Sequence, residues 1–119
     1  MQNTIPVASN IAWHADTLSV VSSKAARMVF DSWADTVEKE TRHVASPFAI
    51  AKHPAYLKIV GMGKSAIPHI LSRMRKSGGH WFWALAIITK ENPVPASARG
   101  NMAAMRKAWI KWGMTHGQI

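Results

Sequence analysis

The run Gly61-Met62-Gly63-Lys64-Ser65 carries the Gly-Lys-Ser that, at the end of a glycine-rich loop, cradles nucleotide phosphates. That loop needs another glycine five positions before Gly63, and Lys58 stands there. No strand pattern leads into the run, so it reads as a helix-stopping turn. Acid–base chemistry is no better provided for, since Glu91 is the only acid beyond residue 45. Asp31 and Asp35, four apart, share one helix face and read as a solvated surface. Of the six histidines (14, 43, 53, 69, 80 and 116), His43 follows Glu38 and Glu40 by five and three positions. No G-x-S-x-G element is present. The histidine spacings predict no metal site. The expectation is a non-enzymatic protein without a cofactor.

The cations carry the remaining chemical signal. Residues 1–45 hold five acids against four bases, and residues 46–119 hold one acid against eleven, within a net charge of +9. A field so one-sided attracts polyanions or an acidic partner surface. One cluster is Arg73, Arg75 and Lys76, with Lys64 and His69 nearby; the other is Arg99, Arg106, Lys107 and Lys111. Solubility alone is served as well by mixed signs, so these eight cations are the expected phosphate contacts. Six of them on duplex phosphates predict a slope of about −5 in log affinity against log salt. Base reading needs Asn, Gln or Arg entering a groove, and Asn101 with Arg106 is the set available.

Trp81-Phe82-Trp83 has the residue types of a stacking platform for bases. Helical geometry splays three successive side chains about 100° apart, which prevents one flat surface. Apolar residues surround the helix predicted over 80–90 almost completely, which predicts a buried core element. Trp83 is the member most open to exposure. Trp109 and Trp112, in a stripe with Met102 and Met105, also read as core.

These side chains need elements to hold them. With 119 residues, 48% hydrophobic and 18% charged, the chain suits one globular domain. It has no Cys, which excludes disulfides and thiolate sites and suits the cytoplasm. No apolar run approaches a membrane span, and the N-terminus is not a convincing secretory signal. Residues 1–14 read as a flexible lead-in, and 15–119 as a single helical domain. Asp16 or Thr17 caps a long helix over about 16–44, with Leu18, Val21, Ala25, Met28, Val29, Trp33 and Val37 as its buried stripe. Glu38 and Arg42 are spaced to pair along it. Pro54 opens a helix over about 54–60. Ser65 caps the next, with Pro68 in its first turn, an apolar face of Ile67, Ile70, Leu71 and Met74, and a stop at Gly78-Gly79. After the rigid turn Asn92-Pro93-Val94-Pro95, Ser97 or Asn101 caps a last helix over about 101–112, stopped by Gly113. The tail after it is expected to fray.

The stretch IVGMGKSAIPHILSRMRKSGGHWFWALAIIT resembles a helix pair of HEAT-like α-solenoids. Residues 53–113 also resemble a group of small bacterial and phage proteins. The matching residues are His53-Pro54-Ala55-Tyr56, Gly61-Met62-Gly63, His80 through Leu85, Glu91 through Pro95, and Trp109 through Gly113. The resemblance implies a prokaryotic or mobile-element origin and carries over no site residue.

The expected architecture is therefore all-α: a compact bundle of about five helices, with one long N-terminal helix and a HEAT-like pair. The expected function is nucleic-acid association through the phosphate backbone, with DNA or RNA as partner and no membrane. The alternative is a protein-binding accessory or inhibitor of antitoxin, immunity or anti-defence type, whose basic face covers an acidic surface. The helix over 16–44 is the element available for a homo-oligomer.

Overall fold

The computed structural model describes the backbone of residues 7–119 and the side chains of residues 24–119. Six α-helices follow one another: α1 (Val7–Glu40), α2 (Pro47–Ala51), α3 (Pro54–Gly61), α4 (Ile67–Ser77), α5 (Phe82–Thr89) and α6 (Met102–Thr115). Short 3-10 turns at Gly63–Ala66 and Ala96–Ala98 complete the order, and no strand occurs among the described residues. The all-α bundle is as the sequence predicts.

The predicted long helix is longer at its start and shorter at its end. It begins at Val7 rather than near residue 16, so it runs through Asp16 and Thr17 and overlaps the predicted lead-in. Residues 1–6 lie outside the described residues, as do the side chains of Leu18 and Val21. Its buried stripe agrees at Val37, with Trp33 half-buried, and otherwise differs. Phe30, Ala34 and Val37 are buried, whereas Met28 is 72% exposed, and Ala25 and Val29 are exposed too. Among the described residues, α1 packs against α3 and the 63–66 turn, and Phe30, Ala34 and Val37 are its buried core members. Tertiary contact, not periodicity, selects the stripe that is buried.

Local chemistry explains most of the element boundaries. Ser46 Oγ accepts from the Ala49 N–H at 3.3 Å and starts α2, a helix the sequence reading omits. His53 caps α3 through Nδ1, which accepts from the Ala55 N–H at 3.0 Å. That bond places the ring proton on Nε2, which donates to Glu40 Oε1 at 2.7 Å and ties α1 to α3. Ser65 does not cap α4. Its hydroxyl donates to the Met62 carbonyl inside the 3-10 turn. Gly78 ends α4 at φ 74°, a left-handed conformation that glycine adopts without strain. Asn101 Oδ1 accepts from the Ala104 N–H at 3.0 Å and starts α6. Ser97 lies in the preceding 3-10 turn instead.

The core gathers Phe30, Tyr56, Ile59, Ile70, Leu71, Met74, Trp81, Leu85 and Trp109, all essentially inaccessible. The predicted face of α4 is buried throughout. Tyr56 stacks on Trp81 with centroids 5.2 Å apart and planes 7° from parallel. Its hydroxyl accepts from the Ala84 N–H and donates to the His80 carbonyl, both at 3.0 Å. The residue preceding α5 is Trp81, which has no capping side chain. Tyr56, from α3, therefore satisfies a donor in the first turn of α5 that no local residue can reach.

Two expectations fail near the C-terminus of this bundle. The α5 helix is not enclosed: Trp83, the member expected to be the most open, is 44% exposed, and Ile87 is 53% exposed against expectation. With α3 and α4 on its inner side, its outer side meets little more than Phe48, whose ring packs edge-on against Trp83 at 5.1 Å. Gly113 does not stop α6. A Cβ there would lie 2.6 Å from Leu71 Cδ1, so glycine permits the close approach of α6 to α4. The tail folds back, with the Gln118 N–H donating to the Gly113 carbonyl at 2.8 Å and Ile119 lying against Gly113.

Candidate nucleic-acid interface

The eight predicted phosphate contacts do not share one surface. Arg73 is the clearest departure. Its Nε and Nη2 donate to Glu38 at 2.9 and 2.8 Å, Nη2 also donates to Asp35, and Nη1 lies 3.6 Å from Asp31. Only 17% of its side chain is exposed. Its hydrogen bonds to Glu38 lead the causes that raise its pKa. Arg73 thus clamps α4 to α1, its guanidinium engaged by carboxylates of α1. Asp31 and Asp35, read as a merely solvated face, are its partners. Glu38 accepts from Arg73 rather than from Arg42.

Three other cations stand apart. Lys76 borders a small hollow with Arg27, Asp31 and His69. Burial lowers the His69 pKa further below neutrality, so it adds no charge to that cluster at pH 7. Lys64 borders a different hollow with Ile67, Glu91 and His116. Arg99 is exposed at the end of the 96–98 turn.

The remaining four are brought together. Arg75 from the last turn of α4 and Arg106, Lys107 and Lys111 from α6 line one open groove of about 660 Å³. Ala103, Ile110 and Met114 complete its lining, and none of the lining residues is acidic. Packing creates this convergence. Gly113 lets α6 approach α4, and Arg106 Nη1 lies over Gly78, where a Cβ would come within 3.0 Å of it. Among the described residues none of the four has an ion-pair partner, while Asp31, Asp35 and Glu38 have arginine partners and Glu40 accepts a hydrogen bond from His53. Glu91 accepts instead from Trp112 Nε1 at 3.2 Å. The acids among the described residues are thus engaged elsewhere, and none of them lines the groove.

A second concavity, of about 540 Å³, lies between the 93–98 segment and α6. Pro93, Pro95, Ala98, Ala104, Ala108 and Trp112 form its apolar walls, and Lys107 and Lys111 border it as well. These two lysines are therefore the ridge between cleft and groove. The Trp112–Glu91 bond holds the proline turn at this distance from α6, and Asn92 Oδ1 braces the turn by accepting from the Val94 N–H at 3.1 Å. The sequence reading treats the proline segment only as a turn. The small residues Ala104 and Ala108, flanking Lys107 on one helix, are the signal that marks a recess there. Comparison with family models, with curated proteins and with solved structures found no match to this chain.

Proposed function

We propose that this protein is a non-enzymatic binder of nucleic acid that grips the phosphate backbone with Arg75, Arg106, Lys107 and Lys111. The observation that carries the reading is the convergence of four unpaired cations on one groove without a single acid. Gathering like charges costs folding stability through self-repulsion, and a polyanion offsets that cost. Phosphate contact supplies affinity with little sequence preference. Lys64, Lys76 and Arg99 extend the positive field rather than forming the site. A cytoplasmic setting, and the bacterial or phage origin implied by the resemblance, belong to the same proposal.

The groove's apolar floor of Ala103, Ile110 and Met114 favours a second reading. An acidic amphipathic segment of a partner protein, covered as by an inhibitor or antitoxin, would use both floor and rim. The two are separated by equilibrium binding of the purified protein to random DNA and RNA at roughly 50 and 200 mM salt. The nucleic-acid reading predicts binding at the lower salt that weakens steeply at the higher. It also predicts loss of about tenfold or more on charge reversal, Lys107→Glu with Lys111→Glu. Absence of binding to either polymer at low salt contradicts it and leaves the acidic protein partner.

A further inference from the structure

We infer that the nucleic acid taken by this surface is single-stranded, with an unpaired base seated in the proline-walled cleft beside the cationic ridge. The inference rests on the nucleic-acid reading above and adds the class of strand. Cleft and groove share Lys107 and Lys111. A strand whose phosphates lie on that ridge has the apolar cleft immediately to one side. The two lysines are one helical turn apart, about 6 Å along the α6 axis. That is comparable to the separation of neighbouring phosphates on an extended strand.

The cleft suits the face of a base and not its hydrogen-bonding edge. Its walls are proline rings, alanine methyls and the Trp112 indole. The hydroxyl of Thr115, at its border, already donates to the Trp112 carbonyl at 3.0 Å. The indole N–H is committed to Glu91. His116 covers one face of the Trp112 ring, with centroids 4.2 Å apart and planes 17° from parallel. The base is therefore held by insertion between proline and alanine walls, which tolerates any base. A duplex keeps its bases stacked inside and cannot deliver one to the cleft while its phosphates stay on the ridge. Only an unpaired strand satisfies both halves of the surface.

The test compares three labelled ligands at one salt concentration by fluorescence anisotropy: oligothymidylate, a fully abasic oligomer with the same number of phosphates, and a blunt-ended duplex with no unpaired bases. The expected result is oligothymidylate binding at least about fivefold tighter than the other two, the order of gain from burying one base's apolar faces in the cleft. Filling the cleft by Ala108→Trp is expected to reduce oligothymidylate to the abasic level and to leave abasic affinity unchanged. The wild-type comparison stands alone if that variant folds poorly. Equal affinity for the abasic strand, or for the duplex, overturns the inference and leaves the phosphate-gripping reading intact. Failure of all three ligands to bind at low salt overturns both.

Discussion

Arg73 and Arg75 sit two positions apart on α4 and have opposite roles, because a helix turns them to different surroundings. Arg73 meets three carboxylates of α1, and Arg75 meets the cations of α6. Replacing Arg73 by Ala removes charge-assisted bonds and leaves Asp35 and Glu38 facing each other. Because those carboxylates are well exposed, the cost is held to about 1–2 kcal/mol. Urea titration is expected to show that loss, while the affinity of the folded variant for nucleic acid changes little. Tyr56 makes a second prediction. Its Tyr56→Phe variant keeps the ring stack on Trp81 but leaves the Ala84 N–H and the His80 carbonyl unpaired, at about 1–2 kcal/mol. Burial pushes the Tyr56 hydroxyl up to about 12, against the opposing hydrogen bond from Ala84. The unfolded chain thus loses this proton first, so the wild type loses stability as pH rises from about 10 to 12. Melting temperatures across that range should fall more steeply for the wild type than for the variant. Neither role was legible in the sequence, because Arg73 and Glu38 are 35 positions apart and Tyr56 and Ala84 are 28 apart.

At the level of elements, the sequence showed what depends on neighbours along the chain and missed what depends on neighbours in space. The face of α4, its glycine stop and the Asn101 start of α6 follow from spacing and capping chemistry, and all three hold. The exposure of α5 does not follow, because an apolar helix of eight residues looks the same whether one side or both are covered. The α1 stripe was misplaced for a similar reason: Phe30 and Ala34 are marked as core only by the arrival of α3. Gly113 was read as a stop because glycine is a poor helix former, yet it lies inside α6 as a point of contact. Gly113→Ala raises helix propensity by about 1 kcal/mol. It also drives a methyl to 2.6 Å from Leu71 Cδ1 and 3.2 Å from Ile119 Cγ1. Leu71 is fully buried and has little room to yield, and overpacking of this kind costs about 1–3 kcal/mol. Thermal unfolding is therefore expected to show net destabilisation of up to about 2 kcal/mol, and a rise in melting temperature would refute the packing role of this glycine.

The whole molecule separates its charges by pairing the acids and leaving the cations of one groove unpaired. The sequence displayed the imbalance of eleven bases against one acid beyond residue 45. It could not show that α1 would engage Arg73 or that Lys64, Lys76 and Arg99 would lie apart, and four of its eight candidates converge. This reduction changes a measurable number. Each single-strand phosphate contact contributes about −0.7 to the slope of log affinity against log salt, so four contacts give about −3. The most direct measurement is that slope for oligothymidylate with the wild type and with Lys107→Ala/Lys111→Ala. The account predicts about −3 for the wild type and a value shallower by about 1.4 for the variant. A slope unchanged by removing both ridge lysines would contradict it.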